Sequence, residues 1–251
     1  MAIVSCDIPA SLTEGGRRPA WPFAPAWDHP QGRGLVYWFS DMAPRSLARG
    51  VKGSPAITFN QQARSYRTPW GACRAYSSAS TYDTFTLSLG TRRMIFLAWF
   101  YPTAAQNQYA GLLLSRSSAA VGLCFTAVGA LTCNWNDTVS EYDAATGLTP
   151  VVGEWNLLGG SHHDTTTDVY LASPSSGIKS ASIGVTDTFR SPSAWYQGND
   201  SWDLSTRYMK GDLADARILD NGGTVAAPLF TAGHFAAIYR AESKYALYRK
   251  L

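Results

Sequence analysis

Glutamate is scarce in this chain of 251 residues: four occur, at positions 14, 141, 154 and 242. Hydrolysis of glycosides rests on paired carboxylates flanking the scissile bond, so that chemistry has little to draw on here. The nearest arrangement is Glu141-Tyr142-Asp143, followed by Ala144, Ala145 and Thr146. It lacks the second glutamate that alternate strand positions would turn into the same cleft. Both acids read as solvated loop residues, and no catalytic residue is assigned. Charge of either sign is also sparse, at 16% of residues, and 21 basic against 18 acidic side chains leave a net +3. A nucleic-acid partner would call for a strongly basic face, and none is expected. No apolar run approaches the roughly 20 residues of a spanning helix. Met1 to Ser11 lacks the basic start and long apolar centre of a signal peptide, so neither membrane insertion nor signal-directed export is expected.

Cysteine is the next scarcity, with four, at 6, 73, 124 and 133. Such scattered positions make no disulfide scaffold, and without a Cys-Xaa-Xaa-Cys pair they make no zinc site. One pair stands apart. If Val128-Gly129 is a two-residue hairpin turn, Cys124 and Cys133 face each other where no ladder hydrogen bonds run, a spacing that accepts a disulfide. Without an export signal, free thiols are the expectation.

What the chain has in plenty is apolar and aromatic material: 45% hydrophobic, 13% aromatic, nine Trp. That suffices for one large domain and argues against disorder. The longest apolar run, Arg92 to Tyr101, closes at Pro102 and splits into Ile95, Leu97, Trp99 and Tyr101 against Met94, Phe96, Ala98 and Phe100. Both faces are apolar, so the run reads as a strand covered above and below. Further strands are expected at Gly34–Phe39, Ala56–Asn60, Thr84–Leu89, Ala110–Ser115, the hairpin Val121–Ala127 with Ala130–Asn136, Trp155–Gly159, Asp168–Ala172, Lys179–Val185 and Tyr208–Asp220. Thr231 caps an expected helix to Tyr248, with Phe235, Ile238 and Tyr239 on one stripe. Residues 1–33 differ from all of this. Pro19, Pro22, Pro25 and Pro30 forbid a ladder, while Trp21, Phe23 and Trp27 call for a surface to lie on, so they read as an extended arm.

Three polar groupings carry the remaining chemistry. His162-His163-Asp164 suggests a metal or an acid–base pair, but neighbouring strand residues point to opposite faces and would not converge on one ion. No nucleophile-elbow motif supports a Ser/His/Asp triad. Trp195 to Asp203 mixes aromatic rings with short amides and carboxylates. Sugar recognition needs that mixture, a ring face for the C–H surface and planar polar groups for the hydroxyls. Trp195, Tyr196, Asn199, Asp200, Trp202 and Asp203 are therefore the candidate glycan-binding residues, although Asn, Asp and Gly are also ordinary turn residues. Asn134-Trp135-Asn136-Asp137 is a smaller copy, and Asn136 and Asp137 offer oxygens of the kind Ca²⁺ takes. No cofactor is otherwise expected.

The second half carries Gly153-Glu154-Trp155, Val169-Tyr170-Leu171, Ile183-Gly184, Gly211-Asp212-Leu213 through Asp215-Ala216-Arg217-Ile218, and Phe235 to Tyr239. In this order they resemble the laminin-G-like members of the concanavalin A-like lectin/glucanase fold, with a longer loop at Ser173-Pro174-Ser175-Ser176-Gly177 than those domains use. The resemblance implies an all-β, two-sheet antiparallel jelly-roll sandwich over residues 34–251, with a short C-terminal helix. Upstream, Trp27-Asp28-His29-Pro30-Gln31-Gly32-Arg33-Gly34-Leu35-Val36 is similar to the lead-in of laminin-G-like proteins encoded by tailed phages and prophages. That narrower resemblance implies a non-enzymatic virion protein, assembled in the host cytoplasm. It would be tied to capsid or tail proteins, or to a second copy of itself, through the arm. The alternative is an adhesion module that grips a surface glycan.

Overall fold

Met94–Pro102 (β5) lies in the middle of the larger of two sheets and is buried on both faces. The computed structural model describes residues 35–39, 58, 64–68, 71–88, 94–116, 120–134, 146–163, 166–184, 192–220 and 230–246. The two faces of β5 enter two different cores. Met94, Phe96, Ala98 and Phe100 point between the sheets, while Ile95, Leu97 and Trp99 pack with Phe235 and Ile238 of the C-terminal helix. A doubly apolar strand is what an element covered by a sheet on one side and a helix on the other requires.

Around it the larger sheet collects Leu35–Phe39 (β1), Arg64–Thr68 (β2), Gly71–Tyr76 (β3), Asn156–His162 (β9), Thr166–Ser173 (β10), Gly177–Gly184 (β11) and Gly211–Asp220 (β13). Its order is β11-β10-β9-β5-β13-β3-β2, and β1 joins β13. The smaller sheet holds Asp83–Thr86 (β4), Gly111–Ser115 (β6), Val121–Phe125 (β7), Leu131–Asn134 (β8) and Ala194–Gln197 (β12), in the order β4-β12-β6-β7-β8. All of these pairings are antiparallel. This is the expected jelly-roll-like sandwich. The arm residues Trp21, Phe23 and Trp27 lie outside the described residues, as does most of Ala56–Asn60, of which only Thr58 is described, bridging to Thr84.

The helix, Ala232–Ala246 (α1), starts as its sequence indicates: the Thr231 hydroxyl accepts from the His234 N–H at 3.4 Å. It is held by more than its apolar stripe. A bulge in β13 between Ala214 and Arg217, with Asp215 at φ 52°, re-aims Arg217. Arg217 pairs with Asp215 and donates to Glu242 Oε1 at 2.8 Å, while Trp99 Nε1 donates to Glu242 Oε2 at 2.8 Å. Burial pushes the Glu242 carboxyl up, opposed by the Arg217 charge beside it.

The hairpin β7–β8 corrects one expectation. Cys133 pairs with Leu123 and Cys124 with Thr132, one step from the facing register. Thr126 and Ala130 close a three-residue loop, with Thr126 N–H donating to Ala130 O at 2.8 Å and the Thr126 hydroxyl accepting from Ala130 N–H at 3.2 Å. A one-residue change in loop length moves each side chain to the other face. Cys133 therefore joins the core between the sheets and Cys124 the outer face, so the two thiols do not face each other.

Candidate functional site

The stretch that reads as a sugar-binding loop begins as a strand. In β12, Trp195 and Gln197 face inward and Tyr196 outward. Trp195 is fully buried, lies parallel to Phe85 at 5.9 Å between ring centres, and donates from Nε1 to Leu87 O at 2.8 Å. It has no face left for a ligand, which corrects its assignment as a platform. Alternation explains why: one strand cannot turn both Trp195 and Tyr196 outward. Tyr196 is half-buried against Tyr82, with ring centres 5.6 Å apart.

After Gln197 the chain folds tightly onto β6. Gly198 has φ +92°, and a Cβ there would meet the Tyr76 ring at 2.4 Å; a Cβ on Gly111 would meet Asn199 O at 2.2 Å. The approach carries Asn199 and Asp200 into full burial, so both act from beneath the surface. The Asn199 amide is consumed by Ala79 O, Leu204 O and the Asp200 N–H. Asp200 is a hub. Oδ1 accepts from Arg116 Nε at 3.0 Å and from Trp202 N–H at 2.9 Å; Oδ2 accepts from Arg116 Nη2 at 2.7 Å and Arg207 Nη1 at 3.1 Å. A buried carboxylate is tolerable when paired and hydrogen-bonded in this way. Beneath it lie Leu114, Ala120 and Cys124, on the outer face of the smaller sheet. Burial, with the Asp200 charge adding to it, pushes the Cys124 thiol well up, so it stays neutral.

Two aromatic rings bracket the charges. The Arg116 guanidinium sits 5.5 Å from the Trp202 ring centre, and that of Arg207 sits 4.8 Å from the Tyr109 ring centre. The sequence Tyr109, Arg207, Asp200, Arg116, Trp202 thus forms one stacked row. Trp202 is 68% exposed, the one aromatic among the exposed large hydrophobic side chains of the described residues. Its backbone is pinned by Asp200, and its ring is braced by Arg116. Asp203 caps the loop, taking Ser205 and Thr206 as donors, which holds its carboxyl below the usual range. Of the six expected residues, then, Trp202 faces solvent, Tyr196 lies half-buried on the same sheet face, Asp200 and Asn199 hold the loop, Asp203 shapes it, and Trp195 belongs to the core. Arg116, Arg207 and Tyr109 escape a reading of the local sequence, since Arg116 and Asp200 are 84 residues apart.

The histidines separate as strand alternation demands. His162 is buried, 3.3 Å from Cys133 Sγ by Nε2, with its ring edge-on to Phe96. Burial pulls its pKa down to about 3, so it is neutral. His163 points to the other side, where Nε2 meets Asp168 Oδ2 at 3.0 Å and Ser161 Oγ at 3.3 Å. A triad needs the acid on one imidazole nitrogen and the serine on the other. Here both contend for Nε2, so the group forms no relay. Among the described residues no cluster of three or more metal-ligating side chains occurs. Asn136 and Asp137, the expected Ca²⁺ ligands, lie outside the described residues, as do Glu141, Asp143 and Asp164.

Solved structures share the fold of this sandwich at low sequence identity. Domain 4 of AbnA, a GH43 extracellular arabinanase from Geobacillus stearothermophilus solved with arabinotriose, superposes with a TM-score of 0.55 at 15% identity, over 81% of this chain and 97% of that one. The receptor binding domain of botulinum neurotoxin type G gives 0.55 at 11%, over 83% of this chain and 51% of that one. A Trypanosoma rangeli sialidase in complex with the inhibitor DANA gives 0.54 at 13%, over 82% and 32%. No curated protein matches the sequence. A family model does match, over residues 75–225, which takes in the smaller sheet, most strands of the larger one and the Asp200 hub, and the chain belongs to the concanavalin A-like lectin/glucanases superfamily.

Proposed function

We propose that the protein is a non-catalytic carbohydrate-binding module, with its ligand received on the outer face of the smaller sheet at Trp202. One observation carries this reading: a tryptophan 68% exposed on a backbone tied to a carboxylate that is itself fully buried. An indole held rigidly in water gives up burial that a mobile loop would recover, and a ring so presented suits stacking on the C–H face of a sugar. The arabinotriose-bound arabinanase domain is a precedent for sugar in a chain of this fold. The purified chain is expected to bind saturably on a broad glycan panel. Trp202→Ala should weaken that binding tenfold or more, about the 1.4 kcal/mol of one lost stacking contact. A folded wild type silent across the panel, or a Trp202→Ala variant that binds as tightly, would remove this reading. Repeating the panel with Ca²⁺ withdrawn tests Asn136 and Asp137 as ligands.

We also infer, from the phage-like lead-in Trp27 to Val36, that the module serves on a virion, attached to capsid or tail proteins through residues 1–33. Burial of Trp21, Phe23 and Trp27 against a neighbouring subunit would supply part of the attachment. Particles assembled with a chain that starts at Gly34 are expected to lack the protein. Incorporation at the normal level would end the virion reading and leave sugar binding untouched.

A further inference from the structure

We propose that the glycan taken at this face is acidic, and that Arg207 holds its carboxylate. The inference rests on the sugar-binding reading above and names the ligand class for the same site. It comes from comparing the arginines with one another. A guanidinium grips a planar carboxylate best along the edge formed by Nε–H and Nη2–H, two parallel donors to two oxygens. Arg74 uses that edge on Asp83, with Nε at 2.9 Å and Nη2 at 2.5 Å. Arg116 uses it on Asp200, at 3.0 and 2.7 Å, and Arg217 uses it on Asp215. Arg207 departs from this pattern. It spends Nη1 alone, on Asp200 at 3.1 Å, and no described residue accepts from its Nε or Nη2.

Arg207 is nevertheless held in place from two sides. Its guanidinium lies over the Tyr109 ring at 4.8 Å, its Nη1 is tied to a buried carboxylate, and its side chain is 20% exposed. A fork fixed in direction, partly desolvated and open along its carboxylate-binding edge is pre-organised for an anion. The local charges agree. Two guanidinium groups share the single carboxylate of Asp200, and the nearest further acid in the loop, Asp203, has its oxygens taken up by Ser205 and Thr206. In the row from Trp202 to Tyr109, the Nε–Nη2 edge of Arg207 is therefore the place suited to a ligand carboxylate. A sugar ring stacked on the indole, with a uronic or sialic acid unit at the Arg207 end, satisfies both ends of the row.

The test uses the full chain on uronic-acid and sialic-acid oligosaccharides, each beside the same sugar with its carboxyl group converted to the methyl ester. Wild type is expected to bind at least one free acid tenfold or more tighter than its ester. Arg207→Gln should bring the two to equal affinity. Arg207→Lys, which keeps the charge but not the fork, should lose most of the preference. Both variants should melt within a few degrees of wild type, since Arg116 still neutralises Asp200. Equal wild-type binding of acid and ester, with binding still dependent on Trp202, overturns this inference and leaves the sugar-binding reading standing. A preference retained in Arg207→Gln overturns it as well, by assigning the anion to another residue. Silence on every sugar removes both.

Discussion

Trp195→Ala is expected to lower the free energy of unfolding by about 3–5 kcal/mol, the range for truncating a fully buried tryptophan. Its ring fills the space between the sheets against Phe85 and Phe96, with centroids at 5.9 and 5.8 Å. Truncation opens a cavity there and also leaves Leu87 O without the indole N–H that donates to it at 2.8 Å. The total stability of a domain is on the order of 5–15 kcal/mol, so this one change removes a large share. Trp202→Ala is the contrasting case. With its ring 68% exposed, stability should move by no more than about 0.5 kcal/mol. Denaturant titration of the two variants side by side decides the matter. A loss below about 1 kcal/mol for Trp195→Ala would mean that its ring is not in the core, and would return it to the candidate ligand platforms.

Acid should destabilise the protein through His162. Its pKa is about 3 in the folded state, lowered first by burial, against an ordinary value of 6.5. Above pH 6.5 the imidazole is neutral whether the chain is folded or not, and its contribution to stability is fully present. Between pH 6.5 and about 3 the unfolded chain takes up a proton that the folded one refuses, so stability falls with pH across that window. At about 1.4 kcal/mol per pKa unit, the loss on reaching pH 3 is on the order of 4–5 kcal/mol. Acidic side chains elsewhere in the chain add their own slope. Comparison with His162→Gln removes their share, since they are common to both proteins. The wild-type curve of unfolding free energy should be the steeper, by up to about one proton between pH 6 and 4. Parallel curves would show that His162 is protonated in the folded chain.

Much of this architecture was legible in the residues. Eight apolar residues in a row, Met94 to Tyr101, with both alternating faces apolar, imply a covered strand, and β5 is one. Thr231 followed by Phe235, Ile238 and Tyr239 implies a capped, one-sided helix, and α1 is one. Arg64–Thr68 and Gly71–Tyr76 were missed because the former is rich in polar side chains and the latter carries Arg74 inward to Asp83. An arginine in the middle of a strand reads as a solvent-facing residue until its partner is known. The cysteine register was missed because it hangs on one residue of loop length, which two hydrogen bonds of Thr126 decide.

The geometry of the candidate site was half legible. Local composition located the stretch 195–203, because aromatic and short polar residues together are a chemical signature wherever they fall. It did not distinguish Trp195 from Trp202, two indoles seven positions apart, one in the core and the other in water. That difference arises where β12 ends and Gly198 turns the chain over Gly111, a contact between strands far apart in sequence. By itself, then, the sequence determined what depends on neighbours along the chain: strand periodicity, the helix cap, the β-sandwich class and the scarcity of paired carboxylates. Only the tertiary structure decided which indole stays exposed, that Asp200 is shared by Arg116 and Arg207, and that the Nε–Nη2 edge of Arg207 meets no described acceptor. Charge pairing and burial act through space, and here they join residues that the sequence holds 84 positions apart.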